Sequence, residues 1–147
     1  MKHTLALVLM VCGSFGAFAE DLCREGVCLS CSYIGKDAHY NPLVSEKKIF
    51  IFINKNQNTF NKSSDKKIKA SERANVFSTS ELVTTSEYYK TIIPIDELSG
   101  QELILNRISL KLELSMRRNY QCYTRNGETM ALEMEKILED FLKDREI

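Results

Sequence analysis

The clearest pattern along this chain is an alternation of apolar and polar positions that later changes its period. Ile104, Ile108, Leu110, Leu112, Leu114 and Met116 share one parity, interrupted only by Asn106. Arg107, Ser109, Lys111, Glu113, Ser115 and Arg117 occupy the other. Side chains of a strand point alternately to its two faces, so this run predicts one long strand with one face in the core and one in water. Lys48 is followed by Ile49-Phe50-Ile51-Phe52-Ile53, a continuous β-branched and aromatic run that predicts a buried strand. Val76 to Thr85 and Tyr88 to Ile95 are also strand-like, with Pro94 marking an edge or an end. Tyr120 to Tyr123 predicts a short last strand, and Cys31 to Ile34 a first extended segment.

After Arg125-Asn126-Gly127 the period becomes helical. Met130, Met134, Ile137, Leu138, Phe141 and Leu142 recur at three- and four-residue spacing, with Glu133, Glu135, Glu139 and Asp140 opposite them. That is an amphipathic helix, and packing its apolar stripe against the sheet is the expected use of it. From Asn54 to Asn75 the chain turns polar and reads as a loop, with a weak strand around Thr59-Phe60 or Lys67 to Ala70. The fold class expected is therefore α+β: a mostly antiparallel, meander-like sheet over about residues 31–125, then one C-terminal amphipathic helix over about 128–145.

The first residues carry Lys2 and His3, an apolar run from Leu5 to Val11, and Ala17-Phe18-Ala19 before Glu20-Asp21. This is the order of a cleavable signal peptide, so residues 1–19 are expected to be removed and 20–147 to form a single small exported domain, periplasmic or secreted. Cleavage would take one lysine and no acid from a chain of 20 basic and 20 acidic residues. The near-neutral remainder gives no pull toward nucleic acid, and no apolar run has the length of a membrane span.

Four of the five cysteines lie beyond the signal: Cys23, Cys28, Cys31 and Cys122. An even number in a small exported domain argues for two disulfides, with three possible connectivities. Cys31 with Cys122 is the favoured pair because it ties the entry of the sheet to its last strand, which leaves Cys23 with Cys28. Swapped partners remain open.

The segment Cys23-Arg24-Glu25-Gly26-Val27-Cys28-Leu29-Ser30-Cys31 resembles the cluster-binding loop of plant-type ferredoxins, in which three cysteines, a basic residue and a glycine recur at these spacings. The resemblance covers nine residues. It implies a [2Fe–2S] electron-transfer or thiol-redox protein as the alternative function. Leu29 departs from the small residue often found there, and Cys122 is far from where a fourth ligand usually lies. With export favouring disulfides, no cofactor and no metal are expected.

No catalytic constellation stands out. His39 is the single histidine after the signal, and neither a glycine-rich phosphate loop nor a nucleophile elbow is present. Asn61-Lys62-Ser63 is a formal glycosylation sequon. The function expected is non-enzymatic: an exported binding or accessory protein acting through a protein or ligand interface, with an envelope or extracellular protein as partner. The contact candidates are Lys66, Lys67 and Lys69 in the basic segment, and Tyr88 and Tyr89 as exposed aromatics.

Overall fold

The computed structural model describes residues 23–34, 46–71, 77–94, 96–114 and 118–145. The expected signal segment and His39 lie outside these residues. Among the described residues, nine strands and two helices follow a short N-terminal turn. They are β1 (Val27–Tyr33), β2 (Lys48–Asn54), β3 (Thr59–Ser64), α1 (Asp65–Ser71), β4 (Ser78–Glu81), β5 (Val83–Thr84), β6 (Tyr88–Pro94), β7 (Gly100–Asn106), β8 (Lys111–Leu114), β9 (Arg118–Arg125) and α2 (Gly127–Arg145). All pairings are antiparallel, in the order β4-β3-β2-β1-β9-β8-β7-β6-β5.

The two ends of that sheet are neighbours in sequence. β4 pairs with β3 and β5 pairs with β6, and only Leu82 separates them. They are one strand bent at Leu82, whose N–H donates to the Asn58 carbonyl and whose side chain is buried. The Thr91 hydroxyl on β6 donates to the Glu81 carbonyl at 2.6 Å and lies 2.7 Å from the Ser80 hydroxyl, tying β6 to β4. The sheet is thereby nearly closed. With β4 and β5 counted once, eight strands run up and down in chain order, and β1 returns to pair with β9.

Register decides which side chains fill the interior. Leu29 and Cys31 on β1 share a cluster with Ile49, Ile51 and Ile53, Phe60, Tyr89, Leu103 and Leu105, Leu112 and Leu114, Tyr120 and Cys122. An eight-strand enclosure is narrow enough for such side chains to fill it. Each fully buried aliphatic or aromatic side chain contributes about 1.5–3 kcal/mol, making this cluster the main source of stability. The opposite parity of β1 and β2 presents Cys28, Phe50 and Phe52 outward. There they meet Ile68 of α1 and Met130, Ala131, Met134 and Leu138 of α2 in a second cluster. The helix therefore packs on the outside wall. It starts at Asn126, whose side-chain oxygen accepts from the Thr129 N–H at 2.7 Å and caps the first turn.

Both disulfides staple this frame. Cys31 and Cys122 face each other across β1 and β9, with 3.9 Å between their Cα atoms. Cys122 donates its N–H away from β1, to the Leu110 carbonyl, so the two cysteines form the narrow, non-hydrogen-bonded kind of cross-strand pair. Cys23 and Cys28 close a small loop at the N-terminus.

The structure corrects four sequence readings. The run from Ile104 to Met116 is not one strand: Asn106 ends β7, and its side-chain oxygen accepts from the Ile108 and Ser109 N–H groups to make a turn. Leu110, expected in mid-strand, closes that turn with φ of 58°. Leu103 and Leu105 enter the core in place of Ile104, and Ile108 stands exposed. Secondly, residues 59–71 of the Asn54–Asn75 segment form a strand and a helix instead of a loop. The weak strand around Thr59-Phe60 is present and runs on to Ser64 as β3, which hides Asn61, Lys62, Ser63 and Ser64, while Lys67 to Ala70, the other candidate strand, lies in the helix α1. Thirdly, β1 begins at Val27, ahead of Cys31. Lastly, Tyr89 is buried in the barrel rather than exposed.

Candidate functional site

The wall of the barrel opposite α2 is the most unusual surface of the molecule. The helices cover β1, β2 and the end of β3, and four strands further round lie β6 and β7. On this side, which neither described helix covers, the outward residues are apolar to an unusual degree. Val83 is 49 % exposed, Tyr88 38 % and Ile92 58 %. Cross-strand register brings them together: Val83 stands opposite Lys90, Tyr88 opposite Asn106, Lys90 opposite Ile104 and Ile92 opposite Glu102. Side chains two positions apart on paired strands still touch diagonally, so Val83, Tyr88, Ile92 and the half-buried Ile104 ring Lys90. Lys90 pairs with Glu102 at 3.4 Å within this face. The adjoining β8 and β9 present Lys111, Glu113, Asn119 and Gln121 at the equivalent outward positions.

A second concentration of chemistry lies inside one mouth of the barrel. Ile51 stands opposite Lys62, so the pleat that buries Ile51 also aims Lys62 inward. Its ammonium donates to Glu46 Oε1 and Gln101 Oε1, each at 2.9 Å. The Tyr120 hydroxyl donates to the Glu46 carbonyl at 2.5 Å, and its ring meets Tyr33 edge-on. Burial raises the Glu46 carboxyl. The Lys62 ammonium and the Ser64 hydroxyl more than offset that, so it lies below its ordinary value. Burial pushes the Lys62 amine down, and attraction to Glu46 restores only part of the loss. Tyr120 is raised, chiefly by burial and then by the Glu46 charge. This cluster holds a charged pair that the apolar interior would otherwise reject.

The helix-covered wall carries its own polar anchor. Glu133 of α2 accepts from Ser30 Oγ at 2.6 Å and from Arg125 Nε at 2.7 Å, and pairs with Lys48 at 3.2 Å. Burial raises its carboxyl, but the Ser30 and Arg125 hydrogen bonds and the Lys48 charge bring it below the ordinary value. The anchor fixes how α2 sits on β1, β2 and β9. Beside it a groove of about 390 Å³ between α1 and α2 is lined by charges of both signs over Ile137 and Phe141.

The sequence candidates are scattered over this frame. Tyr88 belongs to the apolar wall, whereas Tyr89 turns inward beneath the Lys55 and Arg107 side chains, 5.4 and 4.8 Å from its ring centre. Lys66 and Lys69 are exposed on α1, at the opposite end of the barrel from Tyr88, and the Lys67 amine meets the Ser78 hydroxyl. Lysines and tyrosines therefore do not form one site. The Asn61 side chain donates to the Phe52 carbonyl and accepts from Thr79, so the sequon is folded away. Cys23, Cys28, Cys31 and Cys122 are joined in pairs. Among the described residues no helix is long and apolar enough to cross a membrane, and no group of three His, Cys, Asp or Glu side chains is placed to hold a metal ion.

The apolar wall is not legible in the sequence, because Val83, Ile92 and Ile104 each resemble core residues until the register is known. Compared with models of protein families, with curated proteins and with solved structures, the chain finds no match in any of the three.

Proposed function

We propose that this chain is a non-enzymatic, exported binding or accessory protein that acts through its uncovered outer wall, with an envelope or extracellular protein as its partner. The observation that carries this reading is the group of exposed apolar side chains Val83, Tyr88 and Ile92 around Lys90, on strands opposite the helix-covered wall. Clustered exposed apolar side chains are characteristic of contact surfaces, and an aromatic such as Tyr88 is a common anchor in them. The apolar filling of the barrel supports a surface function over a ligand-holding lumen. Two disulfides are compatible with an exported protein.

The test is a double substitution, Val83→Lys with Ile92→Lys, on side chains that already face water. The tagged full-length chain is isolated gently from its own compartment and sized. The wild-type chain is expected in a complex that the variant no longer enters, with circular dichroism unchanged. A variant that keeps the same complex removes this wall from consideration.

A further inference from the structure

The two disulfides are chemically unlike. Cys31 and Cys122 are 0 % and 1 % exposed and sealed among the apolar side chains of the barrel. A thiolate from solution reaches them only if core strands separate, an opening that approaches global unfolding. Cys23 is half-buried at the surface. It borders a depression of about 370 Å³ shared with Arg24, Asn126, Gly127 and Glu128 at the start of α2. Its partner Cys28 is buried in the cluster under that helix. The loop they close is also short, with a sequence separation of 5 against 91 for the other pair. A bond across a short loop restrains the unfolded chain less, so less folding stability opposes its cleavage.

We propose that Cys23–Cys28 is a thiol-exchange site for a low-molecular-weight thiol, entered at Cys23, while Cys31–Cys122 is a permanent staple. The order of events follows from burial. The attacking thiolate forms a new S–S bond to Cys23 Sγ, and the bond to Cys28 breaks. Cys28 leaves with the electron pair and takes a proton, because its apolar surroundings disfavour a thiolate. A second thiolate then attacks the sulfur of the bound thiol, releasing Cys23 as thiolate and the small disulfide as product. Two external thiols are oxidised to one disulfide while the protein's bond is reduced to two thiols. The consequence is local. The N-terminal turn is released from β1 beside the beginning of α2, and the barrel keeps its closing bond.

The experiment treats the fully oxidised full-length protein with reduced glutathione under native conditions, quenches with acid, alkylates free thiols and maps the peptides. A glutathione adduct on Cys23 with alkylated Cys28 is expected first, then both cysteines alkylated. The Cys31–Cys122 bond should open at least about a hundredfold more slowly, since it requires near-global opening. Circular dichroism should keep the barrel signal. Equal rates for the two bonds, an adduct on Cys28, or no reaction short of unfolding each overturns the proposal. In a Cys23→Ser/Cys28→Ser variant, the remaining bond should resist glutathione as before, and a faster reaction there also overturns it.

Discussion

Exchanging the interior pair Glu46–Lys62 for neutral side chains probes the barrel mouth most sharply. The side chains are 14 % and 10 % exposed and 2.9 Å apart. At that distance and an effective dielectric of about 20, Coulomb attraction is about 6 kcal/mol. Withdrawing two ions from water costs several kcal/mol each, so the pair as a whole is close to neutral. A lone survivor is not. Glu46→Gln leaves the Lys62 ammonium among apolar walls, and Lys62→Met leaves the Glu46 carboxylate there; each single change is expected to cost about 3 kcal/mol. With a urea m-value of about 1.5 kcal/mol/M, that moves the midpoint down by about 2 M. The double variant should lose no more than about 2 kcal/mol, giving a coupling of about 4 kcal/mol. The assay is urea unfolding followed by circular dichroism for the four proteins of the cycle. Additive losses, or single losses under about 1 kcal/mol as for exposed pairs, would refute an interior pair.

Glu46 and Glu133 both titrate below the ordinary carboxylate value when folded, so their contribution is complete above that value and disappears as pH falls through the folded one. Thermal unfolding should therefore be steepest in pH dependence below about 4.5, and Glu133→Gln should flatten part of that slope. Cys31→Ser and Cys122→Ser should lower stability equally, by up to about 4–5 kcal/mol for a loop of this length, with the double variant adding little. Unequal losses would mean that the two do not share a bond. Leu112→Asp places a charge in the barrel core and should prevent folding, whereas Lys111→Asp on the outer face of the same strand should leave circular dichroism and melting temperature nearly unchanged.

Much of the fold was legible because the strands that bury apolar side chains announce themselves by parity. The Ile49–Ile53 run, the Tyr88–Pro94 strand and the terminal helix all rest on patterns that burial requires. β3 was legible only as a weak strand around Thr59-Phe60, because its later inward residues are Lys62 and Ser64, and polar side chains give no parity signal when an internal partner such as Glu46 satisfies them. Ser64 followed by Asp65 did carry a helix-start signal for α1, and the Ser64 hydroxyl does accept from the Lys67 N–H. The break at Asn106 was visible as the single fault in the alternation. Its meaning, a turn with Leu110 in the left-handed region, depends on hydrogen bonds that sequence does not display. Gly26 matched a loop motif by type. In the structure its role is spatial, since a Cβ there would lie 2.0 Å from the Ile53 carbonyl oxygen. The apolar wall rests on the pairing register of β5, β6 and β7, which decides the face that Val83, Ile92 and Ile104 take and which the sequence does not display.

The proposed contact wall is tested most directly by site-specific photo-crosslinking in the protein's own compartment. A photoreactive residue is placed at Ile92, and in a second protein at Lys111, which faces water two strands away. A discrete crosslinked species from position 92 and none from position 111 is the outcome expected of a partner seated on β5, β6 and β7. Equal crosslinking from both positions, or a discrete species from 111 alone, would contradict it.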